Sequence, residues 1–518
     1  MSIHISGSSL AKVDRNSARY SYLQEVHRRI AKKDPDIWGP DAAAEAAIRL
    51  NWVDLPENSQ LLKNELDQLK ERFSGKTRIV LCGMGGSSLA PEVLSKSFNR
   101  EIFIVDSTDP NYIAHALNGE LESTLFIVSS KSGSTIETSS QRALFQSKLV
   151  ESGLNPADHM LFVTDPGSPL DHEVRGAGFA VVNADPNVGG RFSALSAFGV
   201  VPAVMAGIDI WAVLADAATA KEEFLVNDQA IIDVAYLLSE VSGQYIGFTD
   251  QGSDYPGISD WIEQLIAEST GKDGRGRLPV VTESVDAARV GKAFTVSFAS
   301  STADLNVEAP LGAHFIFWEW VTAIIGAALD IDPFNQPNVT EAKEQTLALL
   351  DEWGDGTCTA IPTLTPGASQ GDVEIFGEGA SIAEALREII ATVKSGGYIA
   401  IMAYLDRRHD SQLEVLRSEI AKASGVPTTF GWGPRFMHST GQFHKAGQPN
   451  GTFIQITGEV DCDFEIPGRN FSFATLLTAQ ALGDGRALSK REYPLLRLHL
   501  KNRSAGIEQI LTAAQSLK

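Results

Sequence analysis

The chain has 518 residues, 43% of them hydrophobic and 21% charged, which is enough for two or three globular domains with packed cores. Its net charge of −22 argues against binding to nucleic acids or docking on an anionic membrane, because both depend on a basic surface. The charge does not exclude a small anionic ligand, since backbone amides and one or two cations can bind phosphate locally.

Other features of the sequence indicate the cellular compartment of the protein. The cysteines are too few and too scattered for a disulfide framework or a zinc site; they are Cys82, Cys358 and Cys462. The N-terminus shows no apolar stretch of the kind that secretory signals carry. The most apolar stretch, 315–331, is short for a membrane span and contains Glu319, so a buried helix is expected. These features predict a cytoplasmic protein with no membrane partner.

The spacing of apolar residues predicts an α/β architecture. Residues 1–74 read as a charged helical segment, most clearly in LLKNELDQLKERF. Within 75–220, five apolar runs alternate with helical patterns: TRIVLC, EIFIVD, STLFIVSS, MLFVTD and GFAVVNAD. This alternation predicts a doubly wound parallel sheet, whose ligands bind at the carboxyl ends of the strands. The pattern restarts after residue 220 and predicts a second α/β domain over 221–518, which ends in a helix near AGIEQILTAAQSL.

A glycine cluster follows the first predicted strand of the 75–220 domain. In LCGMGGSSL, the glycines would let the backbone approach an anion at the start of a helix. The spacing of Gly83, Gly85 and Ser88, with Asp106 after the next strand, also nearly matches a dinucleotide-binding fingerprint that lacks its third glycine. A tight strand-to-helix turn with no ligand is the plain alternative.

A hydroxyl-rich stretch, SSKSGSTIETSS, follows the third predicted strand and should lie on the same edge of the sheet. A phosphate monoester accepts many short hydrogen bonds from one such turn, whereas a dinucleotide site gives no reason for it. A flexible linker is a poor alternative because ordered patterns continue on both sides. The stretch therefore predicts a sugar-phosphate site in which Ser130, Lys131, Ser132 and Thr135 bind phosphate.

Several longer motifs resemble a known family. GGSSL and SKSGST look like the sugar-isomerase (SIS) domain, and NVGGRFSALSAFG, AESTGKDGRG and DPFNQPNVTEAK are similar to signature segments of the glucose-6-phosphate isomerase (phosphoglucose isomerase) family. The details look closest to the isomerase half of bifunctional transaldolase/glucose-6-phosphate isomerase proteins. The resemblance implies two SIS-type domains after the N-terminal helical segment, and phosphate binding by Gly86, Ser87 and the serine stretch.

The resemblance also implies roles for single residues. Glu268 matches the carboxylate that moves a proton between C1 and C2, and Arg191 matches the cation that stabilises the enediolate. Gln336 and Lys343 correspond to a phosphate contact and a group near the ring oxygen, and a helix would put them on one face. Glu137 corresponds to the carboxylate that orients the ring-opening histidine, although a glutamate in a first helical turn is already explained by the helix dipole.

The ring-opening histidine departs from the family's usual chain order, which places it between the catalytic glutamate and the lysine. The histidine in that interval here is His314, in a very apolar segment that suggests a core position. MHSTGQFHKAG, far downstream, resembles the family's histidine motif, so His438 is the predicted ring-opening residue. His444 is the competing candidate, and a plain loop histidine is the alternative without a catalytic role.

As a whole, the resemblance implies an aldose–ketose isomerase that interconverts D-glucose 6-phosphate and D-fructose 6-phosphate through a cis-enediolate, in glycolysis or gluconeogenesis. It implies no redox cofactor and a homodimer that binds a small sugar phosphate. No HExxH, paired CxxC or EF-hand spacing predicts a metal site. Three alternatives stay open: a non-catalytic phosphosugar-binding SIS regulator, an isomerase of mannose 6-phosphate, and a nicotinamide-dependent oxidoreductase.

Overall fold

The computed structural model describes residues 2–241, 243–337, 339–353 and 364–517, so Cys358 lies outside the described residues. The strands, in chain order, are β1 (His4–Ser6), β2 (Arg78–Cys82), β3 (Ile102–Val105), β4 (Thr124–Ser129), β5 (Met160–Thr164), β6 (Ala180–Asn183), β7 (Tyr245–Thr249), β8 (Leu278–Val281), β9 (Phe294–Ser297), β10 (Leu305–Glu308), β11 (Ala368–Gln370), β12 (Val373–Phe376), β13 (Tyr398–Tyr404), β14 (Thr428–Trp432), β15 (Gly451–Gly458) and β16 (Leu495–Leu500).

Helices lie between most of these strands. In chain order the α-helices are α1 (Ala18–Ile30), α2 (Pro40–Ala46), α3 (Leu55–Asn58), α4 (Lys63–Arg72), α5 (Leu89–Ser97), α6 (Pro110–Leu117), α7 (Ile136–Glu151), α8 (Pro169–Gly176), α9 (Ala197–Met205), α10 (Ile210–Val226), α11 (Gln229–Glu240), α12 (Ile258–Thr270), α13 (Val285–Val290), α14 (Leu311–Ala328), α15 (Val339–Trp353), α16 (Ile382–Ala391), α17 (Val415–Ser424), α18 (Gly441–Ala446), α19 (Phe473–Ser489) and α20 (Arg503–Gln515).

The first sheet confirms the predicted doubly wound parallel arrangement. Its five strands have the order β3-β2-β4-β5-β6, and every neighbouring pair is parallel. The strands are almost wholly buried, as expected for a sheet that is covered on both faces. The strand order reverses between β2 and β4, and ligands of such sheets bind in the crevice at that switch point. The glycine cluster follows β2 and the serine stretch follows β4, so both predicted phosphate loops begin at the switch point.

The range 221–518 contains strands of two sheets, although its pattern suggested a single second domain. The second sheet has the order β1-β10-β9-β7-β8, and the third has the order β11-β12-β16-β15-β13-β14. The run of strands and helices does not encode which strands pair, so this division is not readable from spacing alone. The N-terminal segment, predicted as helical, also supplies β1, which pairs antiparallel with β10 at the edge of the second sheet.

The three sheets formed by the described residues share one parallel core topology. Numbered within each sheet, the core strands have the order 2-1-3-4: β3-β2-β4-β5, β8-β7-β9-β10 and β14-β13-β15-β16. Each sheet therefore has its own switch point beside its first core strand, where a crevice forms at the carboxyl edge. Antiparallel strands are added outside these cores: β1 pairs with β10, β12 pairs with β16, and β11 pairs with β12.

Helix α14 is the centre of the largest core cluster. It is long and apolar enough to pass a length and composition test for a membrane span, yet all of its residues are buried inside the protein. Its tryptophans pack edge-on against neighbouring aromatic rings, as Trp318 does on Phe248 and Trp320 does on Phe224. The prediction of a buried helix is therefore confirmed. An apolar segment of this length can occur in a highly charged chain because the whole segment is packed inside the protein.

We expect Gly312→Ala to destabilise the protein, because Gly312 lies where α14 crosses α10. A Cβ atom there would lie 1.9 Å from the carbonyl oxygen of Val213, which is backbone that cannot swing away. Overpacking of this kind costs about 1–3 kcal/mol. Gly176→Ala is the matched control, because a Cβ atom there meets nothing within 4 Å. Urea unfolding midpoints measure both variants, and equal midpoints would contradict the packing argument.

We also expect His314 to make the protein less stable in acid. Burial lowers the pKa of this histidine to about 3, and neither of its ring nitrogens has a hydrogen-bond partner. The unfolded chain binds a proton below its ordinary pKa of about 6.5, whereas the folded chain does not, so stability falls as pH falls from about 6.5 towards 3. His314→Leu should remove up to about 1.4 kcal/mol per pH unit of this dependence. Parallel pH profiles of the unfolding midpoint for the two proteins would contradict this.

Candidate active site

Two glycine turns bring the parts of the site together. Gly85 has φ +56°, and a Cβ atom on it would lie 2.7 Å from Nε2 of Gln264 and 3.0 Å from the carbonyl oxygen of His438. A Cβ atom on Gly86 would lie 1.9 Å from the carbonyl oxygen of Gly190. Only glycine therefore allows the turn after β2 to touch α12 of the second sheet, the turn at His438 after β14 of the third sheet, and the GGRF loop after β6.

Glu268 and Arg191, predicted from separate motifs, form a buried ion pair. Nη1 of Arg191 lies 3.2 Å from Oε1 of Glu268, and both side chains are less than a tenth exposed. The guanidinium also donates to Oγ of Ser269 at 2.9 Å and to the carbonyl oxygens of Pro333 and Asn335. These contacts fix the cation beside the carboxylate. A carboxylate and a fixed cation at one point are what proton transfer through an enediolate requires.

His438 is held by Glu137. Nε2 of the histidine lies 3.0 Å from Oε1 of Glu137, and Nε2 of Gln480 donates to the same oxygen at 2.8 Å. Burial raises the pKa of Glu137, but the attraction of His438, its hydrogen bond and the charge of Lys343 outweigh burial and hold the pKa below its ordinary value. The carboxylate is therefore ionised at neutral pH, and it orients the imidazole ring.

These residues line a cavity of about 170 Å³. Lys343 projects into it from α15 beside Glu137 and His438, so the three residues predicted for ring opening are brought together. Glu268 does not line this cavity; instead, Nε2 of Gln264 donates both to Oε2 of Glu268 at 3.1 Å and to the backbone carbonyl of His438 at 2.8 Å. The complete lining is Ser134, Ile136, Glu137, Lys343, Thr346, Leu347, Met437, His438, Lys445, Arg469 and Gln480.

The residues predicted to bind phosphate lie on adjacent turns. The side chain of one of them, Lys131, makes other contacts. Oγ of Ser130 accepts from the amide of Gly133 at 3.2 Å, and the hydroxyl of Ser132 lies exposed near that of Ser134. Thr135 immediately precedes α7, whose first amides are free of helical partners. The ammonium group of Lys131, however, lies 2.7 Å from Asp165. Its ammonium group also donates to the carbonyl oxygen of Pro186 at 3.0 Å, so the backbone amide is the remaining candidate contact of Lys131 to an anion.

Gln336 and Lys343 do not share a helix face. Helix α15 begins at Val339, so Gln336 precedes it. Its side-chain oxygen instead accepts from Nη1 of Arg191 at 2.9 Å. The proline at position 337 explains the late start of the helix, because a residue before proline is disfavoured in the helical region. The helix-face argument was therefore wrong, although Gln336 still lies at the Arg191–Glu268 pair.

The competing histidine, His444, occupies apolar surroundings. His444 is buried among aromatic rings, with the hydroxyl of Tyr398 2.8 Å from its Nδ1. Burial lowers the pKa of His444 to about 3, and Lys445 adds to the shift. A group that stays neutral across the physiological range and faces the core is poorly suited to proton transfer with a sugar. His438, in contrast, lines the cavity beside Glu137 and Lys343.

The structure argues against a dinucleotide site, because the acidic residue that would bind the ribose is already paired. Asp106 is fully buried, with Oδ2 2.6 Å from Nη1 of Arg435 and Oδ1 3.3 Å from Nε of Arg407. Both of its oxygens face arginines, whereas a ribose-binding carboxylate must accept from the ligand. The near-match to the fingerprint is therefore explained by the close packing of Gly85 and Gly86.

Some residues of the site were not predicted from the sequence. Gln264 precedes Glu268 by four positions, so helical spacing would have put both on one face. Lys272 donates to the carbonyl of Asp332, and burial, with Arg191 adding to the effect, lowers its pKa well below the ordinary value. No local signal marks Gln480, which comes from α19. Lys445 also lines the cavity, but its ammonium group pairs with buried Asp484 at 2.6 Å.

Comparison with known proteins shows which proteins the chain resembles. Residues 70–267 match the family model of phosphoglucose isomerase. The chain is 37% identical over 206 residues to a glucose-6-phosphate isomerase of Campylobacter jejuni, which is 38% of this chain and 50% of that protein. It is 32% identical over 277 residues to a glucose-6-phosphate isomerase of Thermus thermophilus, which is 51% of this chain and 64% of that protein. The match thus spans about half to two thirds of the length of these relatives.

A solved structure is similar over more of the chain. The crystal structure of a glucose-6-phosphate isomerase from Chlamydia trachomatis superposes with a TM-score of 0.54 and 18% identity, covering 70% of this chain and 90% of that one. At this identity the likeness supports the fold alone, which is the mixed α/β fold with parallel sheets described above. The sequence matches carry more: residues 70–267 of the chain are similar to the phosphoglucose isomerase family.

Proposed function

We propose that this protein is an aldose–ketose isomerase that interconverts glucose 6-phosphate and fructose 6-phosphate. The observation that carries the proposal is the buried Arg191–Glu268 pair, linked through Gln264 to the histidine that Glu137 orients. An acid–base carboxylate, a fixed cation and an oriented imidazole are the groups that this reaction requires. The sequence matches to glucose-6-phosphate isomerases support the same substrate.

The proposed steps follow from the positions of the groups. The phosphate binds at the turns of Gly86–Ser87 and 130–135, where amides and hydroxyls converge. His438, supported by Glu137, and Lys343 exchange protons with the ring oxygen and the anomeric hydroxyl, and the ring opens. Glu268 then takes the proton from one of the two carbons C1 and C2 and returns it to the other. Arg191 stabilises the negative charge that develops on the enediolate oxygen.

The proposal extends to the setting of the protein. The chemistry is a proton transfer within one molecule, so it needs no redox cofactor. We also propose that the protein is cytoplasmic and forms a homodimer, because its motifs resemble those of this family. Mannose 6-phosphate differs from glucose 6-phosphate only at C2, the carbon that loses its proton, and it is the competing substrate.

We expect the purified protein to convert fructose 6-phosphate in the presence of EDTA at a rate typical of enzymes, roughly 1–1000 per second. Oxidation of the glucose 6-phosphate product by a coupled dehydrogenase reports the rate. Mannose 6-phosphate, tested in parallel, should turn over more slowly. Binding of sugar phosphate without any turnover would favour the non-catalytic regulator instead.

We expect Glu268→Gln to lower turnover by at least about 100-fold, because the amide cannot carry a proton between carbons. The affinity for fructose 6-phosphate, measured by calorimetry, should change little, since the phosphate turns are untouched. Glu222→Gln is the matched control on the exposed surface of α10, and it should behave as the unaltered protein. Retained turnover in Glu268→Gln would remove Glu268 from the mechanism.

We expect His438→Asn to lower the turnover of hexose phosphates far more than the turnover of a substrate that has no ring. A four-carbon aldose 4-phosphate cannot close a ring, because the phosphate occupies the hydroxyl that would attack the aldehyde. The ratio of kcat/KM for fructose 6-phosphate to that for the aldotetrose should fall at least about 10-fold in this variant. Glu268→Gln should slow both substrates alike, and His444→Gln should leave the ratio unchanged. An unchanged ratio in His438→Asn would contradict the ring-opening role.

A further inference from the structure

The carboxyl edge of the third sheet has a crevice that the proposed reaction does not use. It has a volume of about 410 Å³ and shares no residue with the cavity at His438. Asp406 follows β13, Glu459 follows β15 and Asn502 follows β16, so the crevice lies at the switch point of this sheet. Its complete lining is Asn111, Asp406, His409, Asp410, Gln412, Glu459, Asp461, Lys501, Asn502, Arg503 and Ser504.

Three side chains with metal-binding atoms lie close together beside this crevice: Asp406 and His409 line it, and His115 contacts Asp406 from behind the lining. Nε2 of His115, from α6, lies 2.8 Å from Oδ2 of Asp406. Nδ1 of His409 lies 3.9 Å from the same oxygen, and all three donor atoms lie within 4.8 Å of one another. Two donors around a tetrahedral zinc ion, with bonds of about 2.0–2.1 Å, are about 3.3 Å apart. Small side-chain rotations therefore bring these three atoms to bonding positions.

The central carboxylate is already oriented. Asp406 is almost completely buried, and its Oδ1 accepts from the backbone amides of Arg408 at 2.9 Å and of His409 at 3.2 Å. These bonds direct Oδ2 at the two imidazoles, as the outer hydrogen bonds of a metal-binding carboxylate do. The side chain of His409, in contrast, is 75% exposed, so it is free to adjust.

We propose that His115, Asp406 and His409 bind one divalent transition-metal ion, of which zinc is the expected example. Two imidazoles and one carboxylate suit zinc, cobalt or nickel, whereas magnesium and calcium prefer sites made of oxygen. Three protein ligands leave a position open towards the crevice. The ion would join α6 of the first sheet to the loop after β13 of the third, across a distance of 291 residues in the sequence.

Charges around the crevice favour a cation on balance. Asp410, Glu459 and Asp461 are carboxylates of its lining, against Lys501 and Arg503. The guanidinium of Arg503 is paired with buried Asp109 at 2.7 Å and with Asp410 at 3.3 Å. Its charge is therefore largely compensated, and the ligand triad adds the further carboxylate of Asp406.

The test uses the full chain without a polyhistidine tag, stripped of metal with EDTA and then freed of EDTA. Co²⁺ is titrated, and its visible absorption reports coordination by nitrogen and oxygen ligands. We expect one strongly absorbing site per chain, with Zn²⁺ displacing the Co²⁺. His409→Ala should weaken Co²⁺ binding at least about 10-fold. His172→Ala, which removes another exposed histidine, should leave the binding unchanged.

Absence of saturable Co²⁺ binding would overturn the proposal, and so would equal binding by the His409→Ala variant and the unaltered protein. His115 and Asp406 would then be an ordinary hydrogen-bonded pair between two sheets. His409 is exposed, so its removal should not unfold the chain, and circular dichroism checks this. The absorption signal does not depend on isomerase activity, so a failure of the proposed function and a failure of the metal site are distinguishable.

Discussion

The close approach of backbone at Gly85 and Gly86 is the constraint on which the arrangement of the site depends. A single Cβ atom at Gly86 would lie 1.9 Å from the carbonyl oxygen of Gly190, well inside contact distance. The turn after β2 can touch α12 and the His438 turn only because it has no side chains at these positions. Elements from three sheets thereby meet at one point, and none of them holds all of the candidate residues alone. The glycines therefore have a packing role in addition to any contact with phosphate.

The buried pair of Arg191 and Glu268 is better explained by chemistry than by stability. Desolvation of two charges offsets much of their attraction, and apolar residues of the same shape often stabilise a protein as well or better. Here the guanidinium donates to the carbonyls of Pro333 and Asn335 and to the side chain of Gln336, so few of its donors are unsatisfied. Such a network holds a cation in place before any ligand is bound, which would avoid reorganisation during the proposed reaction.

Much of the first sheet was predictable, because a run of buried parallel strands is both apolar and short. The residues of the site that fell within long motifs, such as Glu268 and Arg191, were predictable as well. The separate third sheet was not, since alternation of strands and helices does not specify pairing. Gln480 was not predictable either, because it meets Glu137 across 343 residues and no local pattern marks it. The helix-face argument for Gln336 failed because Pro337 delays the helix, a signal that the sequence did contain.

A shared topology explains where polar side chains gather in this molecule. In each sheet the crevice lies beside the first core strand, and the loops at each crevice carry a different set of residues. The first holds the glycine and serine turns. In the second, Asp250 follows β7 and accepts from the amides of Gly257 and Ser259, so its carboxylate closes the start of α12 instead of facing a ligand. In the third, Asp406 stands at the equivalent place with two histidines beside it. The same backbone position thus carries a candidate anion site, a helix cap and a candidate metal site, as expected where the sheet fixes the place of a site and the loop residues decide its chemistry.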